Sequence, residues 1–298
     1  MRAAALLGLG ISASELQPFR AAGVEFETHD TLAGSTNFDA ALVFGGDGTI
    51  HRHLRPLIDH KIPLLPVPLG SGNDFARALG INSVQDAVTA WQQFCSGAQN
   101  VRIIDAGMIR CEPADSAAYP LETGNLKLEN YFCNVAGVGL DCEANRRANA
   151  MPSWLRANGG YVLAAVSAIV KFVPTVVTLS VDAEPRARIS ESAMLLAVAN
   201  TTSYGSGMRI APRAQLADGL LDACFVRHTG RLRLLRSFPR VFRGKHLSMP
   251  EVEYLQAARL RIAAERPLEV YADGERICKT PVEITVIPRA LRVIVPLP

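Results

Sequence analysis

Two glycine-rich stretches contain the residue types best suited to binding phosphate. The first, GGDGT, directly follows the apolar run AALVF and comprises Gly45, Gly46, Asp47, Gly48 and Thr49. Glycines let backbone N–H groups approach an anionic ligand, and a helix beginning there adds its own free N–H groups. Because an aspartate would repel phosphate, Asp47 indicates a cation between the two, most simply Mg²⁺ on a polyphosphate. An Asp-Gly turn without a ligand is the alternative interpretation.

The second stretch, GSGND, also stands between an apolar run and a predicted helix, and it comprises Gly70, Ser71, Gly72, Asn73 and Asp74. Asn73 or Asp74 is suited to capping the helix that begins at FARAL. In a parallel sheet the loops that follow the strands line one edge, where ligands bind. We therefore expect both stretches to face one nucleotide.

A third loop, GLGISA, has the form of a dinucleotide-binding turn, with Gly8, Gly10 and Ala13 in the G-x-G-x-x-A spacing. Small residues are common wherever a strand turns tightly into a helix. The spacing therefore leaves three possibilities open: a dinucleotide site, another nucleotide or phosphate contact, and a plain turn.

The elements that must position these loops change in type along the chain. Up to about residue 100, apolar strands alternate with helices, which is typical of a parallel α/β sheet. Beyond that point strands follow one another, and helical patterns occur only near 143–171 and 230–244. The sequence predicts an α/β domain over 1–103 and a mostly β domain over 104–287. Whether a last strand at about 288–298 returns to the first domain is left open.

The charge of the chain bounds its partners. The 298 residues carry a net charge of only +3, which gives no argument for nucleic acid. The segment 226–246 is rich in arginine and contains no acidic residue. Such a segment is either a solvated helix face or a contact with anionic lipid head groups, where each basic residue adds about 1 kcal/mol.

Cysteine usage and hydropathy bear on the compartment. The six cysteines show no paired spacing, which predicts reduced thiols in a cytoplasmic protein. The apolar segment 161–181 is long enough to span a bilayer, but Lys171 and Pro174 in its middle favour a helix followed by a strand. The short apolar run at the N-terminus fits a first β-strand better than a secretory signal.

Six motifs in order together resemble the diacylglycerol kinase catalytic domain, a family that includes soluble bacterial lipid kinases and has sphingosine and ceramide kinases as relatives. They are GGDGT at 45–49, PLGSGNDFAR at 68–77, DAG at 105–107, FCNVAGVGLDCEA at 132–144, YGSGMRIAPRAQLADGLLD at 204–222 and DGE at 273–275. GGDG alone is shared with NAD kinases and phosphofructokinases. The later motifs favour the lipid kinases.

The resemblance implies a fold and a nucleotide. It implies a Rossmann-like α/β domain of the NAD-kinase type, followed by a β-sandwich domain, with the active site in the cleft between them. ATP would bind along the loops of the first domain. Asp47 would support the catalytic Mg²⁺ through water, and Asp74 and Asp105 would belong to the same acidic network.

The resemblance also implies roles in the second domain. Asp273 would be the general base that accepts the proton of a lipid hydroxyl, with Glu275 beside it. Asp218 would hold a structural divalent ion together with the backbone carbonyls of Gln215 and Leu220. A plain surface loop is the alternative explanation for Asp218.

The chain departs from the family pattern at two places. GLGIS stands where the family has an Asn-Pro-x-x-Gly loop, so a nucleotide contact from this loop is left open. His51 and Arg52 stand where the family commonly has Asn-Glu after GGDGT, which puts a cation near the phosphates in place of an acid. Arg52 or His53 would either contact phosphate or face solvent.

The sequence therefore predicts an ATP- and Mg²⁺-dependent lipid kinase that phosphorylates a hydroxyl of a membrane lipid, with diacylglycerol converted to phosphatidate as the first choice. It predicts a cytoplasmic protein in peripheral contact with a membrane, and leaves a homodimer open. The alternatives are a GGDG-type kinase of another class, such as an NAD or sphingoid kinase, and a non-catalytic nucleotide- or lipid-sensing protein. The pocket between the domains should separate them: apolar and deep for a lipid, polar for a nucleotide or sugar.

Overall fold

The computed structural model describes residues 1–32, 37–111, 129–151, 160–182 and 187–297. In these residues fifteen strands hydrogen-bond into one mixed sheet. The first part of the sheet is parallel and carries helices, and the second part is antiparallel. The sequence predicted this change from strands that alternate with helices to strands that follow one another.

The first part of the sheet has the strand order β4-β3-β1-β2. Its elements are β1 (Arg2–Leu7), a 3-10 helix (Ala13–Phe19), β2 (Glu25–His29), β3 (Ala40–Gly45), α1 (Asp47–Asp59), β4 (Leu64–Pro68), α2 (Asp74–Ala78) and α3 (Val84–Cys95). Strand β3 is buried along its whole length, as expected of a strand covered on both faces of a parallel sheet. This burial is why its sequence is a continuous apolar run.

The stretch SASELQPFRAAG predicts a short helix with Ser12 as its N-cap and Gly23 at its end, and the helix in the structure ends earlier. It is a 3-10 helix that stops at Phe19, and Pro18 lies inside its last turn. Proline has no N–H to donate to a continuing helix, which shortens the element. The predicted N-cap is confirmed, because the Ser12 hydroxyl accepts the N–H of Ser14 at 3.2 Å.

The second part contains mostly antiparallel strands. Its elements are β5 (Val101–Cys111), β6 (Glu129–Phe132), β7 (Val135–Gly139), α4 (Leu140–Asn149), α5 (Tyr161–Lys171), β8 (Thr175–Val181), β9 (Ile189–Ala199), β10 (Leu221–Arg227), α6 (Arg231–Ser237), 3-10 helices Phe238–Arg243 and Lys245–Ser248, β11 (Val252–Ala257), β12 (Arg259–Ala264), β13 (Glu269–Ala272), β14 (Glu275–Lys279) and β15 (Val282–Ile294). No helix among the described residues is long and apolar enough to cross a membrane. The apolar segment 161–181 is divided between α5 and β8, as the sequence predicted.

Three predictions in this part need correction. The sequence predicts strands over 101–111, 128–135, 176–182, 192–199, 220–227, 258–263, 268–271, 282–287 and 291–295. Strands β11 and β14 lie outside these ranges. The single strand expected over 128–135 is interrupted at Cys133 and Asn134, which separate β6 from β7. The helical stretch predicted over 143–171 begins at Leu140, and its described residues, which leave out 152–159, form two helices.

The last strand, β15, joins the two parts of the sheet. Its first half, residues 282–287, pairs with 106–111 of β5 and with β12. After a register shift its second half pairs with 101–104, and Val293 pairs in parallel with Leu64 of β4. The side-chain amide of Asn100 donates to the carbonyl of Val295 at 3.0 Å, which holds the end of the strand in place. The chain's end therefore lies in the first part of the sheet, while a boundary at residue 103 stays a prediction because β5 runs across it.

Candidate active site

The two glycine-rich loops touch backbone to backbone at the ends of β3 and β4. The N–H of Asp47 donates to the carbonyl of Gly72 at 3.1 Å. A Cβ atom on Gly46 would lie 2.4 Å from that carbonyl oxygen, and one on Gly70 would lie 2.3 Å from the Cα of Gly46. Real Cβ atoms do not approach other atoms so closely, and therefore these glycines are needed for the loops to meet.

Asp47 links the two loops through its side chain. Its Oδ1 accepts the N–H of Phe75 at 3.0 Å and its Oδ2 accepts the N–H of Asp74 at 3.1 Å, so it caps helix α2 from the neighbouring loop. Capping by Asn73 or Asp74 was therefore the wrong prediction: the Asn73 side chain is instead hydrogen-bonded to the backbone of Gly70. Burial, and then the negative charge of Asp74, raise the pKa of Asp47 to about 6.

Asp74 ties the second loop to a turn of the other part of the sheet. Its carboxylate accepts the N–H groups of Ser206 (2.9 Å) and Gly207 (3.0 Å) and the guanidinium of Arg77 (2.6 Å). Both oxygens thus have protein donors. Its place in a metal network stays a prediction, and what the structure shows is a contact between two loops.

Asp105, which is also buried, likewise holds backbone segments together. One of its oxygens accepts the N–H of Gly219 and the other accepts the N–H of Arg289, both at 2.7 Å. Arg289 lies at the register shift of β15, with a backbone φ of 55°. The buried carboxylate therefore stabilises the irregular backbone where β15 passes from one part of the sheet to the other.

The loop predicted to hold a structural ion lies near Asp105. Asp218 and Gln215 are exposed, and the Asp218 carboxylate accepts the N–H of Leu220 at 3.0 Å. Within the described ranges, no group of three or more His, Cys, Asp or Glu side chains is arranged to hold a metal ion. The ion at this loop stays a prediction.

Asp273 occupies the tight turn between β13 and β14. Asp273 and Gly274 have φ values of 49° and 87°, and Asp-Gly is the pair that such two-residue hairpin turns favour. The side chain is fully buried, and its oxygens accept the N–H groups of Cys133 (2.9 Å), Asn134 (2.9 Å) and Val135 (3.3 Å). The interruption between β6 and β7 supplies the first two donors, and the third comes from the first residue of β7.

The residues that follow GGDGT approach this turn. The ring Nδ1 of His51 lies 3.3 Å from Oδ2 of Asp273. The guanidinium of Arg52 lies 3.7 Å from the carboxylate of Glu275. His53 is buried in helix α1. Of the two residues for which a phosphate contact was left open, only Arg52 lines the cavity described next.

A cavity of about 350 Å³ lies between the loops of the first part of the sheet and the second part. The predicted site residues that line it are Gly45, Gly46, Asp47, Gly48, Thr49, Gly70, Ser71, Gly72, Asp74, Asp273 and Glu275. Predicted residues that do not line it are Asn73, Asp105, Gln215, Asp218 and Leu220. The GLGIS loop contributes Gly8, Leu9 and Ile11, so it lies close enough to meet a ligand.

Several lining residues were missed by the sequence reasoning. They include Asn134, Asp141, Asn145, Asn149, Tyr204 and Tyr271. Asp141 stands inside a motif that was quoted, and Asn145 and Asn149 follow it at spacings of four on helix α4. That spacing places all three on one helix face and could have identified them.

A second cavity, of about 90 Å³, adjoins the first and is lined almost wholly by apolar side chains. Asp141 and Tyr204 line both cavities. The Asp141 carboxyl accepts the N–H of Cys142 at 2.9 Å, and burial raises its pKa to about 7. A Cβ on Gly137 would lie 1.5 Å from Oδ2 of Asp141, so the glycine makes room for the carboxyl.

Comparison with known proteins identifies the family. Residues 16–109 match the diacylglycerol kinase catalytic domain, and residues 134–295 match the YegS C-terminal NAD kinase beta sandwich-like domain. The chain is 32% identical to a diacylglycerol kinase of Mycobacterium tuberculosis, over 87% of this chain and 77% of that protein. It is 27% identical to a diacylglycerol kinase of Bacillus subtilis, over 95% and 90% of the two chains. The chain belongs to the diacylglycerol kinase catalytic-domain family, and it is a lipid kinase.

Solved structures confirm the fold class. A crystal structure of a diacylglycerol kinase from Bacillus anthracis aligns with a TM-score of 0.67 at 18% identity, covering 99% of this chain and 96% of that one. An NAD kinase from Archaeoglobus fulgidus, in complex with ATP, aligns with a TM-score of 0.55 at 15% identity over 99% and 94%. The predicted α/β domain followed by a β-sandwich is therefore confirmed.

Proposed function

We propose that this lipid kinase transfers the γ-phosphate of ATP, with Mg²⁺, to the hydroxyl of a membrane lipid, with diacylglycerol as the first choice. The observation that carries the proposal is the pair of adjoining cavities. One is lined by glycine-rich loops and acidic side chains, the other by apolar side chains, and they share Asp141 and Tyr204. A polar head and an apolar tail of one substrate would fit such a pair.

ATP is assigned to the loops at the ends of β3 and β4. Helix α1 begins at Asp47, and the positive end of its dipole favours phosphate there. The ATP-bound NAD kinase that shares this fold supports a nucleotide in the cleft. Three separate stretches line this side of the cavity, since the GLGIS loop joins the two glycine-rich loops.

The residues present fit a magnesium ion at Asp47. The pKa of Asp47 is raised by burial and by the charges of Asp74 and Asp273, which indicates a shortage of positive charge at this carboxylate. Mg²⁺ is commonly held by one or two carboxylates together with substrate phosphates. When bound, it would neutralise charge on the transferring phosphate. Each oxygen of Asp47 accepts one N–H, so it would support the ion through water. Asp74 and Asp105 would serve the network by holding the loops, since Asp74 also pairs with the Arg77 guanidinium and Asp105 does not line the cavity.

The acceptor hydroxyl is assigned to the Asp273 side of the cleft. Three backbone N–H groups fix this carboxylate in the wall of the cavity. Phosphoryl transfer depends on positioning and charge neutralisation. The Asp273 carboxylate near the hydroxyl would help to remove its proton. Glu275 lies beside it, and its ion pair with Arg52 joins the hairpin turn to helix α1.

The apolar cavity favours a lipid over the other acceptors. An NAD or sugar-phosphate acceptor would need polar partners where this chain offers residues such as Ile169, Met194, Leu195, Met208 and Phe238. Burying apolar carbon there would contribute about 0.8 kcal/mol for each CH₂ group. A sphingoid acceptor has the same apolar character, and the assay below separates it from diacylglycerol.

The same region offers a surface for a membrane. Eight large apolar side chains are exposed among the described residues, and four of them, Leu163, Val170, Val173 and Leu232, lie on α5, directly after it, or on α6. Helices α5 and α6 pack together and both line the apolar cavity. The arginine-rich segment 226–246 contains α6. We assign peripheral contact with anionic lipid in the cytoplasm to this α5–α6 surface.

The test is phosphorylation of a total lipid extract by the purified protein with radiolabelled ATP and Mg²⁺. We expect a labelled product that co-migrates with phosphatidate, and label on purified diacylglycerol but not on NAD. Label only on a sphingoid base or ceramide would replace the acceptor. ATP binding without label on any lipid would favour the nucleotide- or lipid-sensing alternative.

A further inference from the structure

The cavity assigned to ATP contains far more acidic than basic side chains. Among the residues that the structure describes, Arg52 is the only lysine, arginine or histidine that lines it. The acidic side chains that line it are Asp47, Asp74, Asp141, Asp273 and Glu275. A nucleoside triphosphate is itself strongly anionic, and like charges repel each other more strongly where water is partly excluded. Arg52 is therefore the one lining cation with which the protein can offset the charge of a bound nucleotide.

Arg52 lies between the two sides of the cleft. It stands on helix α1 one turn after Gly48, and residues four apart share one face of a helix. The turn between β13 and β14 approaches this face: the guanidinium of Arg52 lies 3.7 Å from the carboxylate of Glu275, and a Cβ on Gly48 would lie 2.8 Å from Oε1 of Glu275. Arg52 thus stands where a phosphate bound beside Asp47 would meet an acceptor hydroxyl beside Asp273.

The ion pair between Arg52 and Glu275 leaves the guanidinium able to take another partner. The distance of 3.7 Å is longer than a hydrogen bond, and the Arg52 side chain is 54% exposed. Exposed ion pairs of this kind contribute little to stability, so exchanging the partner costs little. The guanidinium carries its donors in a planar fork that matches two oxygens of a phosphate.

We propose that Arg52 is a catalytic residue that binds the γ-phosphate of ATP during its transfer, an inference that rests on the lipid kinase activity proposed above. The guanidinium leaves Glu275 when ATP binds and donates to two oxygens of the γ-phosphate. The acceptor oxygen bonds to the γ-phosphorus, the bond from that phosphorus to the bridging oxygen of ADP breaks, and the hydroxyl proton passes to the carboxylate of Asp273. Arg52 stays protonated throughout and stabilises the charge spread over the phosphoryl oxygens.

The decisive variant is Arg52→Gln, which removes both the charge and the fork of donors. We expect kcat for lipid phosphorylation to fall by about 100-fold or more, because one such donor typically contributes about 10²–10³-fold. Calorimetry should show a larger loss of affinity for ATP with Mg²⁺ than for ADP with Mg²⁺, since only ATP carries the γ-phosphate. Arg52→Lys keeps the charge without the planar fork, so its kcat should lie between those of Arg52→Gln and the wild type.

Arg55→Gln is the matched control, on the same helix. The Arg55 side chain is 53% exposed, its guanidinium lies 4.0 Å from the carboxylate of Glu129, and it does not line the cavity. The control should leave kcat and the affinities for both nucleotides near wild-type values. The thermal unfolding midpoints of the Arg52 and Arg55 variants should stay near that of the wild type, because both side chains are more than half exposed.

Arg52→Met is measured beside Arg52→Gln, so that a folding defect in one variant does not decide the outcome. Wild-type kcat in either folded variant, or equal losses of affinity for ATP and ADP, would overturn the proposal and leave Arg52 as a structural partner of Glu275. A wild-type protein that phosphorylates no lipid would instead defeat the proposed function, while the comparison of ATP with ADP would still test the contact between Arg52 and the γ-phosphate. The two failures are therefore distinguishable.

Discussion

At the scale of single residues, burial has the largest influence on the chemistry of the cleft. Asp141 is buried where the polar and apolar cavities adjoin, and water cannot stabilise its charge. Its pKa consequently rises from 3.8 to about 7. The sequence identified the motif around Asp141 but assigned the residue no role, because burial is a property of the fold.

The substitution Asp141→Asn should make stability less dependent on pH. The folded pKa of Asp141 lies above the unfolded value, so its contribution to stability is complete below about pH 4 and is lost as pH rises through about 7. Asparagine can still accept the N–H of Cys142 and carries no charge. The quantity to measure is the free energy of unfolding of the variant minus that of the wild type, from urea unfolding. We expect this difference to be about 1–3 kcal/mol larger at pH 8 than at pH 5. An equal difference at both pH values would contradict the prediction.

Close approach at Gly46 gives a second prediction at this scale. Its φ of −105° is open to alanine, so Gly46→Ala tests the close approach to the second loop, where the nearest atom is the carbonyl oxygen of Gly72. We expect a loss of about 1–3 kcal/mol in the free energy of unfolding, together with weaker ATP binding, because the two loops must separate. Gly230→Ala is the control, since its φ of −61° is equally ordinary and a Cβ there meets open space. Equal stability of the two variants would show that the loops adjust freely.

At the scale of elements, the helices and strands that the sequence predicts correctly are those with strong local patterns. The buried run of β3 and the break at Pro174 were recognised from sequence, because burial on both faces and proline punctuation are local signals. Strand β14, Glu275–Lys279, was missed because its sequence ERICK is largely charged and it lies at the edge of the sheet. The α5–α6 surface is likewise an assembly of two elements that sequence separates by about sixty residues.

The α5–α6 surface makes a prediction about membranes. Arg233 pairs with Glu251, whereas Arg231 and Arg236 have no carboxylate partner among the described residues. The double substitution Arg231→Glu and Arg236→Glu should weaken binding to anionic phosphatidylglycerol vesicles by at least about tenfold, because each basic residue contributes about 1 kcal/mol. Vesicle co-sedimentation measures the effect.

The control carries the same charge change away from α5 and α6. Arg20 is exposed directly after the first 3-10 helix and Arg102 is exposed on β5, in the part that pairs with the end of β15, and the double substitution Arg20→Glu and Arg102→Glu should bind vesicles like the wild type. Equal losses in both variants would mean that overall charge, and not this surface, attracts the protein to lipid.

At the scale of the whole molecule, β15 makes the two parts of the sheet depend on each other. Val282, Ile284 and Val286 belong to the core of the second part, while Leu291 and Val293 belong to the core of the first. Removing residues 289–298 would leave β4 and the start of β5 without the strand between them. We expect this truncated chain to lose cooperative thermal unfolding and much of its circular dichroism signal.

The comparison for that truncation is the full chain under the same conditions. A truncated chain that unfolds cooperatively within a few degrees of the full chain would show that β15 adds little to the first part of the sheet. Thermal unfolding measures stability alone, so this test needs no activity assay.

The sequence by itself determined the family, the two glycine-rich loops, the acidic residues and the order of α/β and β parts. These follow from short motifs and from local periodicity, which the chain carries whatever its final packing. Only the tertiary structure decided that Asp47 caps helix α2, that the donors for Asp273 come from residues 133–135, that His51 faces Asp273, and that the chain's end returns to the first strands. His51 and Asp273 are 222 residues apart, and no local pattern encodes such a contact. It depends on strand register and on the burial of both parts of the sheet around one cleft.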